Sequence, residues 1–411
     1  MRTDAPKPDD LARFPYLKDV LNRIEVAYIA TYPPTECGIA TFTQDSLTAV
    51  RKFTPFSHHM VVAMNYAGET QAYPDVVKFQ IDKAIPEDYD DAAKFINQSS
   101  ATVLHVEHEY GIFGGDHGDY IVRLMEQIKK PMVVTLHTVL AAPNPKQKEI
   151  VEQMGRLANH LIVMIDMGRR ILMDHYDVDP AKIVVIPHGV PNVRKRSSEA
   201  AKKSLGLTGH TVLSTFGLIN RGKGLEHAIE AMAKAVENHP DALYLILGQT
   251  HPAVSKEQGE EYRNELNGLV TKYRLQRNVR FNNHYLTLEE LVKYLSATDI
   301  YITPYLNKDQ ITSGTLAYAI GCGKAIISTP YLYAEEMLGE GRGIMVPFRD
   351  SDAIADAFIR LLEDIPYRHK LETATYKYGR RTTWYNVAIE YLNLFYRLTD
   401  RVNDNHDPVQ G

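Results

Sequence analysis

The sequence predicts an α/β protein built from two doubly wound parallel sheets. Three observations carry this. Short apolar, β-branched runs alternate with segments of helical period in both halves of the chain, the pattern of strands joined by crossover helices. Some of those runs lead through a glycine loop into a helix, as at Gly38, Gly217 and Gly314. The pattern breaks once, at residues 186–191 (IPHGVP), and a chain of 411 residues is long enough for a domain on each side of that break.

From the N-terminus, residues 1–22 are polar and proline-bearing, then briefly helical. Residues 23–30 (RIEVAYIA) read as the first strand, which Pro33 and Pro34 end. Gly38 opens a helix whose unpaired amide end suits an anion, and Glu36 and Thr41 read as its caps. Residues 60–64, 76–79 and 101–106 read as further strands. The last runs into a polar glycine loop with His108, Glu109, Gly114 and Gly115. His105, Glu107, Asp116, His117 and Asp119 lie nearby and raise the question of a metal. Alternation along a strand sends neighbours to opposite faces, so this is not a clean ligand set. It reads as a polar wall of an active site, and no metal is expected. Residues 131–137 (PMVVTLH) form an apolar strand ending on His137, at the end where functional residues of parallel sheets collect. Strands at 160–165 and 182–186 flank a helix at 169–176, and His188 then reads as a hinge residue without a ligand.

Arg194, Lys195, Arg196, Lys202 and Lys203 read as a solvated linker face. A strand at 210–216 starts the second half, and Leu225, Ala228, Ile229, Met232 and Val236 then recur at helical spacing. Between them, Arg221 and Lys223 stand among Gly217, Gly222 and Gly224. Two cations on a glycine loop at a strand–helix junction can neutralise a diphosphate. Strands at 242–247 and 279–281 and a helix at 288–297 follow. Residues 297–330 read as a strand–helix–strand unit: strand 299–304, loop 308–312, a helix capped by Ser313 and ended by Gly323, and strand 325–329. The helix begins Ser313-Gly314-Thr315, which puts unpaired amides with little bulk beyond a strand's carboxyl end, a setting that suits phosphate. A short strand at 344–346, a helix at 354–363 and a long amphipathic helix from Trp384 complete the chain.

Composition excludes several classes. The formal net charge of −5 argues against a nucleic-acid binder that relies on bulk electrostatics. Cys37 and Cys322 form neither a disulfide framework nor a metal spacing, which fits a reducing compartment. No run approaches the length of a transmembrane segment, and the N-terminus lacks the apolar core of a signal peptide. A cytoplasmic enzyme is the expectation.

The phrases SGTLAYAIGCGKAIIST, YLYAEEML and GRGIMVPFRD resemble the donor half of a retaining glycosyltransferase of the GT-B fold, in family 4, often called "glycosyl transferases group 1". PPTECGIATFT resembles that family's first-strand loop, and IPHGVP its linker. The resemblance implies two Rossmann-like domains facing each other across a cleft. The acceptor domain would span residues 1–190 and the donor domain 205–380, with a final helix, 384–411, packed back on the first. The chain departs from the family at its best-known pair. One Glu ends the family's loop and a second follows eight residues later; here those positions are Gln310 and Tyr318, with Asp309 beside the first. The family's loop Arg is Leu218 here, while Lys223 matches the family's Lys, and Arg221 would supply the missing charge.

On this resemblance the donor is a nucleotide diphosphate sugar, such as GDP-mannose or UDP-glucose. Gly38, Gly217, Gln310, Ser313, Gly314, Thr315, Leu316, Tyr318 and Glu335 are assigned to it. His137, Lys223 and Arg221 form the catalytic set, His137 accepting from a sugar hydroxyl or presenting its carbonyl beneath the reacting carbon. His108, Glu109, Gly114 and Gly115 are assigned to a carbohydrate or other hydroxyl acceptor. Retention of anomeric configuration is implied, and no cofactor is required. Two other readings stay open: a GT-B phosphorylase acting on oligosaccharides, and a non-catalytic nucleotide-sugar-binding protein, which the lost carboxylates allow.

Overall fold

The computed structural model describes residues 24–195 and 198–404. The reading of residues 1–22 and Arg196 of the basic run lie outside them. The chain divides into two compact units, one ending at Gly189 and resuming at Trp384, the other running from Val190 to Thr383.

In the first unit the described strands are β1 (Val26–Ala30), β2 (Met60–Asn65), β3 (Val77–Asp82), β4 (Val103–His108), β5 (Met132–Leu136), β6 (His160–Val163) and β7 (Ile183–Val185). They form one sheet in the order β3-β2-β1-β4-β5-β6-β7, and every pairing is parallel. β1, β2, β4 and β5 are buried along their whole lengths. A parallel sheet covered on both faces needs such continuous apolar runs rather than alternation. The edge strand β3 alternates buried or half-buried with exposed positions over most of its length. Strand order reverses between β1 and β4, so the loops beyond their carboxyl ends flank the place where such sheets take ligands.

The helix Trp384–Asp404 belongs to this unit. Val387, Tyr391 and Phe395 share a core with Val26, Tyr28 and Val133. Burying an apolar side chain of that size stabilises the fold by about 1.5–3 kcal/mol. Gly189 is required beside it, since a Cβ there would lie 2.1 Å from the Trp384 indole.

The second unit holds β8 (Thr211–Phe216), β9 (Ala242–Leu247), β10 (Val279–Asn282), β11 (Ile300–Thr303), β12 (Ala325–Ser328) and β13 (Ile344–Met345). The order is β10-β9-β8-β11-β12-β13, again all parallel, with its reversal between β8 and β11. The strand–helix–strand unit read at 297–330 is β11, the helix Gly314–Gly321 and β12. Ser313 caps that helix, its Oγ accepting the Leu316 amide, and Gly323 follows it at φ +65°.

Two readings change. The basic stretch at 192–207 is not a solvated linker face throughout. It contains a helix, Glu199–Ser204, in which Lys202 is buried and pairs with Asp299 at 2.7 Å. A buried ammonium needs such a partner. The helix Ile365–Gly379 had no counterpart in the sequence reading. Of its buried residues, Leu371, Thr375 and Gly379, only one is a large apolar side chain, so its buried face carries little hydrophobic signal.

Candidate active site

The loops beyond β8 and β11 come together at the reversal of strand order, where the Leu306 amide donates to the Gly222 carbonyl at 2.9 Å. Gly217 follows β8 at φ +121°, and a Cβ there would lie 3.1 Å from the Thr315 methyl. Gly248 follows β9 at φ +132°, where a Cβ would come within 2.3 Å of the Gly217 carbonyl oxygen. Both positions therefore need glycine. Lys223 closes a short 3-10 turn, Arg221–Lys223, and Gly224 turns the chain out of it at φ +59°. The Lys223 Nζ sits 3.8 Å from the centre of the Tyr305 ring, a cation–π contact. No carboxylate pairs with it among the described residues, and burial of the ammonium pushes its pKa down to about 8. The residue as a whole is half-buried.

Hydroxyls line the other wall. The Tyr305 hydroxyl is 2.7 Å from Thr315 Oγ1, which is 3.1 Å from Ser313 Oγ. Since Ser313 takes the Leu316 amide, those of Gly314 and Thr315 are left for an acceptor outside the helix. His251, beyond β9, is held below the usual imidazole range by burial and then by the charge of Lys223. Sequence reading missed Tyr305 and His251. Their one signal was position: each stands just beyond the carboxyl end of a strand, Tyr305 beyond β11 at the reversal of order and His251 beyond β9, the neighbour of β8.

Several assigned residues stand elsewhere. Arg221 is not a free cation. Its guanidinium holds Glu265 with two contacts of 2.6 Å and Glu261 with one of 2.9 Å, and lies over the Tyr262 ring. Two carboxylates on one surface helix have already neutralised it. Leu316 and Tyr318 are buried, because the helix they share is covered from Leu316 to Gly321. The Tyr318 ring meets Phe216 edge-on at 6.5 Å, so this side chain packs in the unit's interior. Gln310 is half-buried and folds its side-chain amide back on the Thr312 carbonyl at 2.7 Å, while its backbone carbonyl accepts the Tyr333 amide. Glu335 is exposed on the helix Leu332–Leu338. Gly38, in the first unit, opens the helix Gly38–Arg51 with open space around it. Its cap is Cys37, not Glu36 or Thr41: the Cys37 Sγ accepts the Ala40 amide at 3.4 Å.

In the first unit His105 and Glu107 share a face of β4, two residues apart. There they meet His137, just beyond β5. Glu107 Oε2 lies 3.0 Å from His137 Nε2, and Oε1 lies 3.3 Å from His105 Nε2. Burial pushes the Glu107 carboxyl up and both imidazoles down. His108 points to the other face and is fully buried, with Tyr110 edge-on at 5.0 Å and Phe113 stacked at 5.8 Å. Its acceptor assignment fails on access. Glu109 is half-buried and accepts from the Thr138 hydroxyl at 2.6 Å. Gly114 and Gly115 are explained by the protein's own packing. A Cβ at Gly114 would lie 1.6 Å from the Lys83 carbonyl oxygen, and one at Gly115 2.0 Å from an Asp119 carboxylate oxygen. His188 donates from Nδ1 to the Gly189 carbonyl at 2.7 Å. Among the described residues no group of three or more His, Cys, Asp and Glu side chains is arranged to hold a metal ion.

With this geometry in place, the family follows. The family described as "Glycosyl transferases group 1" matches residues 197–378, and "Glycosyltransferase Family 4" matches residues 59–194. The chain belongs to the GT-B glycosyltransferases of group 1 and family 4. This glycosyltransferase is 27% identical over 289 residues to the D-inositol 3-phosphate glycosyltransferase of Corynebacterium aurimucosum, a match covering 64% of the chain and 66% of the relative. It is 26% identical over 276 residues to the phosphatidyl-myo-inositol mannosyltransferase of Mycobacterium leprae, covering 64% and 67%. The matches thus span about two thirds of these relatives' own lengths. Among solved structures, Anabaena HepE in complex with UDP and glucose is 13% identical with a TM-score of 0.73, covering 91% of this chain and all of that one (100%). Sucrose-phosphate synthase from Thermosynechococcus elongatus is 17% identical, also at 0.73, covering 92% and 100%. At such identities the likeness is one of fold, and the chemistry must be argued from the site.

Proposed function

We propose that this glycosyltransferase moves a hexose from a nucleotide diphosphate sugar to a hydroxyl of a sugar or other polyol, with retention of anomeric configuration. The observation that carries the reading is Lys223, a buried cation with no carboxylate paired to it among the described residues, beside Gly217 and over the Tyr305 ring. Breaking the bond between the anomeric carbon and the phosphate oxygen leaves negative charge on the diphosphate. Lys223, the amides of Gly314 and Thr315 and the hydroxyls of Ser313 and Thr315 would stabilise that charge as it grows. Because Lys223 supplies the positive charge, turnover is expected to persist in a chelator. With Gln310 and Tyr318 where the family has carboxylates, the contacts to ribose and sugar would be made differently. The acceptor is assigned to the first unit, where Glu109 and His137 stand beyond β4 and β5.

HepE binds UDP and glucose, and the curated relatives are named for inositol phosphate and phosphatidylinositol acceptors. By that likeness UDP- and GDP-hexoses, and polyols with or without phosphate, are the first substrates to try. Among the described residues no helix is long and apolar enough to cross a membrane. Two free cysteines support a reducing compartment, and the proposal sets the reaction in the cytoplasm.

The test is a panel of sugar nucleotides incubated with and without polyols, following nucleotide release and the anomeric proton of the product by NMR. The reading expects acceptor-dependent nucleotide diphosphate release and a product with the donor's configuration. An inverted product, or phosphorolysis of oligosaccharides in place of transfer, would overturn it.

A further inference from the structure

The first unit holds a buried polar chain that the transfer reaction leaves unassigned. It starts at the Tyr391 hydroxyl on the final helix, 3.4 Å from Thr135 Oγ1, which is 2.7 Å from His105 Nε2. His105 meets one oxygen of Glu107 at 3.3 Å, and the other oxygen meets His137 Nε2 at 3.0 Å. Glu107 is 0% exposed, so these side chains, not water, decide its orientation. His137 is also held on its ring, where Phe42 approaches edge-on at 4.8 Å and 89°. Its remaining nitrogen, Nδ1, has no protein partner among the described residues.

A neutral imidazole carries one ring proton, and the hydrogen bond made by one nitrogen decides the role of the other. An ionised carboxylate can only accept. Burial pushes the Glu107 carboxyl up to about 7 against the opposing pull of His105 and Thr135, so the ionised form this role requires prevails above that pH. We propose that Glu107 is a positioning residue for His137, accepting its Nε2 proton and holding the ring in the tautomer whose Nδ1 can accept a hydrogen bond. The inference rests on the reading that His137 meets the bound sugar, where a hydroxyl would donate to Nδ1. Thr135 and His105 fix Glu107, and Tyr391 ties the chain to the final helix.

The test uses the full chain labelled with 15N-histidine. The His137 signals are assigned by their loss in His137→Asn. Above the pH of about 7 to which the Glu107 carboxyl is raised, wild type is expected to show the Nε2–H tautomer, a measurement that needs no variant at Glu107. In Glu107→Gln the amide can either donate or accept, so the single tautomer is lost. There kcat should fall about tenfold or more while the donor KM holds, as for loss of a group that orients a functional histidine. Glu107→Asp should recover part of the tautomer preference. A wild-type Nδ1–H tautomer, or one unchanged in Glu107→Gln, would overturn the proposal. A tautomer that shifts while kcat holds would support the positioning role and instead remove His137 from the proposed transfer.

Discussion

The two units hold their buried charge in opposite ways. In the second, Lys223 rests on an aromatic ring with no counter-charge among the described residues, and Gly217 stands beside it. In the first, Glu107 is enclosed by two imidazoles and a hydroxyl chain. A desolvated cation left unpaired is costly unless an anion arrives, and the proposed function gives the second arrangement that anion. A carboxylate enclosed between two imidazoles, with no face open to solvent, can orient them but cannot meet a ligand. The same contrast recurs within a single turn. Arg221 and Lys223 are two residues apart, yet Arg221 is committed to Glu261 and Glu265 while Lys223 is not. Counting cations in a glycine loop therefore overstates how many can meet a ligand.

The contrast can be broken most severely at Lys223. Lys223→Ala should lower turnover of a sugar nucleotide by about a hundred-fold or more, the usual loss for a donor that stabilises a developing anion. Steady-state rates at saturating acceptor measure this, and wild-type rates in the variant would end the account of the crevice. A smaller, graded effect concerns pH. In the free protein Lys223 loses its proton near pH 8, below the ordinary lysine value, and a bound diphosphate would raise that value. Donor affinity should therefore be flat below about pH 8 and fall as pH rises above it, by up to about tenfold per unit. Lys223→Arg should remove this dependence, because a guanidinium does not deprotonate in that range.

Smaller effects sharpen the contrast. Arg221→Ala should leave nucleotide affinity close to wild type, because its partners are Glu261 and Glu265; a loss equal to that of Lys223→Ala would place Arg221 in the crevice after all. Tyr318→Phe should leave donor binding unchanged in calorimetry and alter stability by about 1 kcal/mol or less. Tyr318→Ala should cost about 3–5 kcal/mol in denaturant unfolding, the range for losing a large buried aromatic. Weaker donor binding in the Phe variant would return its hydroxyl to the site.

The strands were legible in the sequence for a physical reason. β1, β5, β9 and β12 are buried on both faces, and such strands read as uninterrupted apolar runs. The glycine loop before Leu225 and the Ser313 cap were legible because turn and cap chemistry is local. What stayed hidden depends on partners distant in the chain. Glu265 lies 44 residues from Arg221, and His137 lies 30 from Glu107. No local pattern announces either pairing, or that Lys202 turns inward to Asp299. Tyr305 was passed over because one tyrosine after a buried strand carries no motif. Only the fold sets its ring beneath the ammonium of Lys223.

Proton linkage tests the central claim most directly. The sugar nucleotide that the protein turns over would be titrated at pH 8, in two buffers of different ionisation enthalpy, into wild type and Lys223→Ala. If the diphosphate meets Lys223, wild type should take up a fraction of a proton per donor bound, since the lysine's pKa is lowered to about 8 in the free protein and the diphosphate would raise it. The variant should take up none. Equal uptake by both proteins, or none by wild type with binding intact, would contradict the claim that Lys223 is the cation waiting for the donor.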